Sequence, residues 1–204
     1  FGEMALVSRA PRAASVIASR PSMVLAASIE SLEAVAQRAP EVGGQLASFC
    51  RERMLQNLVR TSPILRAVEP SERAGLVSRF ETQTFEPGDF LIRRGETASG
   101  LHLIASGKVE VVAEEGGERL VIATLGAGEV VGEVAMILRR PSVADVIAVH
   151  PSVTLHLPTQ GFQEILRAHP ALLAELYELA VKRDEETSSV VAQEATSADD
   201  YVLV

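Results

Sequence analysis

Cysteine is nearly absent from this sequence, and its scarcity excludes two kinds of structure. Cys50 is the only cysteine among 204 residues, so neither a disulfide within the chain nor a zinc site of four cysteines can form. A lone thiol is typical of a reducing compartment, and we expect a cytoplasmic location. We interpret Cys50 as a packed residue of a helix rather than a redox group, because its neighbours repeat at helical spacing.

Long apolar runs are also missing. No run approaches the roughly 20 residues that a membrane-spanning helix needs, and no basic-then-apolar leader opens the sequence. We therefore expect no membrane span and no secretion leader. The sequence starts at Phe1 rather than Met, within a motif that recurs later, so we expect a piece of a longer protein.

Positive charge is in the minority, with 19 Lys and Arg against 27 Asp and Glu and a formal net charge of −8. Binding to a nucleic-acid backbone needs clustered cations, so we expect no nucleic-acid contact. A cupin-like metal enzyme is also disfavoured, because the histidines form no closely spaced pair with a carboxylate. We expect no metal, no catalytic residues and no enzymatic activity. The histidines are His102, His150, His156 and His169.

Short apolar runs separated by glycine turns occupy Thr82 to Leu157. Such regular turn signals are typical of a sandwich, a barrel or a jelly roll, and glycine supplies the positive φ that tight turns require. Four of these runs have the length and the β-branched content of strands. They are Phe90-Leu91-Ile92, Leu101 to Ile104, Val109 to Val112 and Leu120 to Leu125.

Helical spacing flanks this β region on both sides. Ser28 is placed to cap a helix that Pro40 interrupts, a second helix is predicted over residues 41–60, and another starts near Pro70. Thr159 to Lys182 again has helical spacing, broken at Pro170. Residues 15–18 and 23–26 are predicted to form short strands.

The acidic segment 184–204 is predicted to be a disordered tail, too short for a helix-turn-helix.

One motif occurs twice, at residues 1–25 and 131–155. Twelve positions are identical when the two copies are laid side by side without a gap, which defines an internal repeat. The copies differ at an informative place, because Arg12 of the first faces Ser142 of the second. The identical pairs begin with Gly2 and Gly132, Glu3 and Glu133, and Ala5 and Ala135.

Each part of the motif suits a small anionic ligand that carries a sugar. Glycine allows close backbone approach, and the N–H groups at the start of a helical turn can point at an anion. A carboxylate such as Glu3 accepts hydrogen bonds from sugar hydroxyls, and Arg12 offers a charge-assisted clamp for phosphate. Ala13 and Ala14 leave room beside the ligand.

The motif resembles the phosphate-binding cassette of the cyclic nucleotide-binding domain. That family includes bacterial catabolite-activator regulators and regulatory subunits of cAMP-dependent protein kinase. Pro63-Ile64-Leu65, Phe85 to Asp89, Arg94-Gly95-Glu96 and Ser106 to Val109 extend the resemblance. It implies a mainly β fold with flanking α-helices, a β-jelly-roll or double-stranded β-helix, and a bacterial source is expected. It divides the chain into residues 1–60, the C-terminal half of a first domain, residues 61–183, a complete second domain, and the tail 184–204.

The resemblance also implies a ligand and its contacts. The ligand would be cAMP, with cGMP less favoured, and Glu3 and Glu133 would take the role of the ribose-binding glutamate. Arg12 alone matches the phosphate-binding arginine. The implied positions of the second copy are Gly132, Glu133, Val134, Ala135, Ser142 and Val143. Those of the first copy are Gly2, Glu3, Met4, Ala5, Arg12 and Ala13.

The second copy departs from the family pattern, because Ser142 holds the arginine position and Val143 replaces a small neighbour. Losing one partner of a buried charged pair costs about 2 to 5 kcal/mol, or roughly thirtyfold to several thousandfold in affinity. Asp145 adds negative charge nearby, and Arg139 and Arg140 either compensate or point into solvent.

Two functions remain open. One is a cyclic-nucleotide sensor whose ligand shifts the flanking helices and reports to an attached output domain or a partner copy. The other is a degenerate copy with a structural, dimerisation or interaction role.

Overall fold

The computed structural model describes residue 2, residues 15–115 and residues 117–200, with side chains for all of these except residues 74, 115, 191 and 193–200. In chain order, the helices are α1 (Ile29–Arg38), α2 (Pro40–Thr61), α3 (Pro63–Arg66), α4 (Arg73–Val77), α5 (Glu133–Ile137), α6 (Thr159–Ala168) and α7 (Pro170–Asp200). The strands are β1 (Glu81–Phe85), β2 (Phe90–Ile92), β3 (Gly100–Ser106), β4 (Lys108–Glu115), β5 (Glu118–Gly126), β6 (Val130–Val131), β7 (Asp145–Ala148) and β8 (Ser152–Pro158).

The strands form two antiparallel sheets. One sheet has the order β1-β8-β3-β6 and the other has the order β2-β7-β4-β5. Consecutive strands such as β3 and β4 lie in different sheets, so the chain winds between the two layers. The predicted fold, a mainly β jelly roll with flanking α-helices, is confirmed. All four strand-length runs that the sequence predicts lie in strands.

Two apolar clusters hold these layers together. The larger cluster joins the first sheet to the helices and includes Leu103, Leu155 and, from α7, Leu176. The smaller cluster lies among strands of both sheets and includes Ile104 and Val109. Burying a side chain of this size contributes about 1.5 to 3 kcal/mol. Helix α7 is therefore fixed to the β structure by its first turns.

The helices before the β region agree with their sequence signals. Ser28 caps α1, since its Oγ accepts a hydrogen bond from the backbone N–H of Ser31 at 3.2 Å. Pro40 opens α2, where its missing N–H costs nothing. Cys50 is 2% exposed on α2, beside the buried Met54 and Leu58. This burial supports the packing interpretation of the thiol.

Two sequence-based expectations about secondary structure are wrong. Residues 15–18 and 23–26 form no strand, and their apolar side chains are exposed, with Leu25 fully so. The corresponding strands of the second copy, β7 and β8, each pair with two neighbours. Residues 15–28 have no such neighbours in the described part of the chain, and a strand cannot persist without a partner.

The disorder predicted for residues 184–204 is also wrong as far as Asp200, because α7 continues through this segment. Its polar composition suggested disorder, but it contains neither Gly nor Pro, the two residues that most disfavour helix. Its start is attached to the β domain through Arg183 and Asp184. Residues 201–204 lie outside the described residues, as do Glu3, Met4, Ala5, Arg12 and Ala13 of the first copy.

A buried pair of histidines crosses the first sheet. His102 of β3 lies directly opposite His156 of β8, with the ring centroids 4.5 Å apart. Nδ1 of His102 is 3.3 Å from Thr154 Oγ1, and Nε2 has no partner among the described residues. Burial, with a smaller effect of His156, lowers the pKa of His102 to about 4. Burial also lowers the pKa of His156, against the opposing effect of Glu81.

We expect this pair to make folding stability fall in acid. The unfolded chain takes up the proton near pH 6.5 and folded His102 only near pH 4. The stability is therefore complete above pH 6.5 and is lost as the pH falls from there to 4, by about 3 kcal/mol for His102. Urea unfolding at several pH values measures the slope. His102→Asn should flatten it, and an unchanged slope in that variant would refute the assignment.

Candidate functional site

The turn between β6 and α5 depends on a glycine. Gly132 has φ +94°, and a Cβ built there would lie 2.6 Å from the carbonyl oxygen of Gly100. An L side chain is disfavoured both by this backbone conformation and by the lack of space. Gly2, at the same position of the first copy, has φ +90°. The glycine lets the chain turn sharply, so that Glu133 begins α5 facing inward.

Glu133 is the most buried charged residue of the site, with 1% of its surface exposed. Its Oε1 accepts a hydrogen bond from Arg183 Nη1 at 2.7 Å. Its Oε2 is buried and has no hydrogen-bond partner among the described residues. Burial raises the pKa of Glu133, while Arg183 acts in the opposite direction. Buried polar atoms are nearly always paired, so an unpaired acceptor here marks a place for a ligand.

A cavity of about 300 Å³ lies next to this carboxylate. Its walls come from both sheets, from α5, from residues 142–144 and from one face of α7. This volume is at the lower end of the range for small-molecule sites. The six positions that the resemblance implied for the second copy all line it: Gly132, Glu133, Val134, Ala135, Ser142 and Val143.

The segment that carries Ser142 is held by main-chain bonds. The N–H of Ser142 donates to the carbonyl of Glu96 at 2.9 Å, and the carbonyl of Ser142 accepts from Gly95. Its hydroxyl donates to the carbonyl of Ala144 at 2.8 Å. The arginine position of the family is therefore occupied by a short side chain whose proton is directed at the backbone.

Three charged residues near the cassette lie outside the cavity wall. Asp145, expected beside the phosphate position, accepts a hydrogen bond from the N–H of Arg94 at 2.7 Å. Arg140 forms an ion pair with Asp184 of α7, and Arg139 is exposed, with φ +52°. None of the three lines the cavity. Of the two alternatives for Arg139 and Arg140, this arrangement supports the one in which they do not compensate for the missing arginine.

Sequence reasoning missed the contribution of α7. Leu179, Arg183 and Thr187 line the cavity, and Thr187 Oγ1 donates back to the carbonyl of Arg183. Their spacing of four residues places them on one helical face. The helical period of Leu172, Leu176 and Leu179 continues to Arg183, and this was the available signal. The helix predicted from the sequence ended at Lys182, which left Arg183 and Thr187 outside it.

The β region matches a known family. The family model described as "Cyclic nucleotide-binding domain" matches residues 82–169, which include the cassette and nearly all of both sheets. Residues 82–169 are a cyclic nucleotide-binding domain. A curated cAMP-dependent protein kinase regulatory subunit from Hypocrea atroviridis is 34% identical over 182 residues, 89% of this chain and 37% of that protein. The chain thus spans under half of this relative, whose fungal origin gives no support to a bacterial source.

Two of the solved structures with similar folds illustrate the likeness. The catabolite activator protein of Thermus thermophilus superposes with a TM-score of 0.58 at 26% identity, covering 66% of this chain and 63% of that one. The second is the regulatory subunit of a cAMP-independent protein kinase A from Trypanosoma brucei, a triple mutant with cAMP bound in its A site. It gives a TM-score of 0.53 at 26% identity, covering 70% of this chain and 56% of that one.

Two other kinds of feature are absent from the described residues. Among the described residues, no helix combines the length and the hydropathy of a membrane span. No group of three or more His, Cys, Asp or Glu in that part could hold a metal ion. The cavity of the cyclic nucleotide-binding domain is thus the candidate site on which a function can be argued.

Proposed function

We propose that this chain is a regulatory sensor module that binds a ligand of the cyclic-nucleotide class, with cAMP as the first candidate and cGMP as the second. The carboxylate of Glu133 carries the proposal, since it is 1% exposed, lies on the cavity wall and keeps one oxygen without a partner among the described residues. A ribose hydroxyl is the donor such an oxygen needs.

The binding site contacts helix α7 directly, so α7 can change position when a ligand binds. Arg183 of α7 holds one oxygen of Glu133, and Asp184 of α7 pairs with Arg140 at the end of the α5 turn. A ligand shifts a helix only if it binds one arrangement better than another. Because α7 forms part of the cavity wall, any ligand there meets that condition when α7 moves.

Helix α2 is the other helix proposed to move, and it packs in the same core as α7. Met54 and Leu58 of α2 and Leu172 and Leu176 of α7 belong to one buried cluster. A displacement of α7 is therefore transmitted by packed side chains to α2, which shares this cluster. The flanking helices over residues 41–60 and 159–182 are therefore the elements that this proposal expects to move when the ligand binds.

A regulatory and non-catalytic role is supported by the relatives, which are named as regulatory subunits of cAMP-dependent protein kinase. The output is then a partner protein or a domain attached elsewhere in the parent protein. We retain a first, partial domain in residues 1–60 as a proposal, supported by the matching positive φ of Gly2 and Gly132. A cytoplasmic location likewise remains a prediction from the single cysteine.

The alternative of a degenerate, purely structural copy is less well supported. A copy that had lost its ligand would be expected to fill its cavity with side chains, because voids weaken a core. Here the cavity persists, and it retains an unpartnered buried carboxylate oxygen.

Calorimetric titration of the 204-residue chain with cAMP and with cGMP tests the proposal. We expect saturable heat with both ligands. The 2′-deoxy form of cAMP should bind at least about tenfold more weakly, because it lacks the hydroxyl proposed to meet Glu133. Absence of heat at millimolar concentrations of every ligand would refute the sensor proposal, and equal binding of the 2′-deoxy form would refute the role of Glu133.

A further inference from the structure

Formal charge on the cavity wall is negative. Three carboxylates line it, those of Glu129, Glu133 and Glu186, against the two cations Lys182 and Arg183. Both cations come from α7, and neither comes from the cassette. An anion entering this cavity loses hydration without meeting a cationic side chain of the cassette, and such transfer is costly.

The guanidinium of Arg183 is already paired with carboxylates. Its Nη1 donates to Glu133 Oε1 at 2.7 Å and also to the carbonyl of Val130, and its Nη2 is 3.7 Å from Glu129 Oε1. Moving this guanidinium to a phosphate would leave Glu133 buried and unpaired. Removing one partner from such a pair is strongly unfavourable. Arg183 therefore does not replace the arginine absent from position 142.

Lys182 is a weak substitute for a different reason. Its side chain is 72% exposed, and its Nζ is 3.7 Å from Glu186 Oε1. An ammonium that remains hydrated and paired adds little to the affinity for an anion, and salt screens that contribution.

The part of the cavity wall formed by residues 142–144 has no cation either. Ser142 is short and donates its hydroxyl proton to Ala144, and Val143 adds apolar surface at the next position. The remaining lining from β4, β5 and β7, including Val111, Ile122 and Val146, is apolar. The cavity thus combines an acceptor for sugar hydroxyls with an apolar wall that suits the face of a base.

Building on the proposed ligand site, we propose that the cavity recognises the ribose and base of a nucleoside. The cyclic phosphate adds no affinity, so an uncharged nucleoside binds at least as tightly as the matching cyclic nucleotide. The proposal rests on the charges and contacts around Glu133, Ser142 and Arg183, and it assigns selectivity to position 142.

Titration of the unmodified chain with adenosine, cAMP, guanosine and cGMP tests whether the cyclic phosphate adds affinity. We expect each nucleoside to bind as tightly as its cyclic nucleotide or more tightly. A cyclic nucleotide that binds about tenfold or more tightly than its nucleoside, a difference of about 1.4 kcal/mol, would overturn the inference and leave the sensor proposal standing. Absence of binding by all four ligands at millimolar concentration would instead reject the sensor proposal itself, and the inference with it.

A double substitution tests the role assigned to position 142. Ser142→Arg combined with Val143→Ala should raise the affinity for cAMP by about thirtyfold or more, the scale of one buried charged contact. Its affinity for adenosine should change by less than about threefold on the same reasoning, since adenosine carries no anion. Retained adenosine binding also shows that the variant is folded.

Ser71→Arg is the matched control, because it adds the same charge at an exposed position that does not line the cavity. It should leave both affinities unchanged. If the Ser142→Arg, Val143→Ala variant binds adenosine but gains no affinity for cAMP, position 142 is not the cause of the selectivity and the inference fails.

Discussion

Glu133→Gln should weaken the binding of cAMP and of adenosine by about thirtyfold to several thousandfold, the range for breaking a buried, hydrogen-bonded charged contact. The glutamine fills the same space, so the cavity keeps its shape. It lacks the charge that strengthens the hydrogen bond from a sugar hydroxyl, and its amide can present a donor where the carboxylate has only acceptors. Calorimetric titration measures the loss directly.

Glu110→Gln provides the control for this prediction. Glu110 lies on β4, pairs with Arg119 at 3.5 Å and does not line the cavity. The control removes one carboxylate charge from the same domain and should leave both affinities unchanged. Equal losses in the two variants would point to a general charge effect, and undiminished binding by Glu133→Gln would remove the carboxylate from the site.

Gly132→Ala is expected to be among the most destabilising single substitutions in the cassette. The backbone is held at φ +94°, and the new methyl carbon would lie 2.6 Å from the carbonyl oxygen of Gly100. The left-handed conformation alone costs about 1 to 2 kcal/mol for a residue with a side chain. The overlap adds about 1 to 3 kcal/mol, the usual cost of overpacking. Urea unfolding at pH 7 gives the difference in free energy.

Gly88→Ala separates the two contributions. Gly88 has nearly the same backbone conformation, with φ +96°, but a Cβ there would meet nothing within 4 Å. It should therefore lose only the conformational part. A Gly132→Ala variant no less stable than Gly88→Ala would mean that the close approach of β6 and β3 is not what requires glycine.

The cassette was predictable because its information is local. Gly132, Glu133, Ser142 and Val143 lie within twelve residues of one another, and the repeat with residues 1–25 identifies each position from the amino-acid sequence alone. The glycine-bounded strands were predictable for the same reason, since turn signals and β-branched runs are short-range features. Every one of the cassette positions implied for the second copy lines the cavity.

Contacts between distant segments were not predictable. Arg183 donates a hydrogen bond to Glu133, fifty residues away in the chain, and no sequence signal at either position predicts this pair. Residues 15–18 and 23–26 have the composition of strands, but pairing partners decide whether such residues form a sheet. The composition of residues 184–200 suggested disorder, whereas helix propensity and the attachment at Arg183 favour helix.

This difference between local and distant information explains why the ligand class could be inferred only with the structure. The sequence shows that the arginine is absent at position 142, but it leaves open whether Arg139, Arg140 or another cation replaces it. The structure pairs Arg140 with Asp184 and Arg183 with Glu133, which removes two of the available replacements.

Amide hydrogen exchange of the intact chain, with and without saturating adenosine or cAMP, tests the central claim that ligand on Glu133 is sensed by α7. We predict slower exchange at residues 130–135 and at residues 179–187 together. The paired strands β1 and β8, away from the cavity, should stay unchanged. Protection of the cassette without any change in α7, or no change in either segment when ligand is bound, would contradict the account.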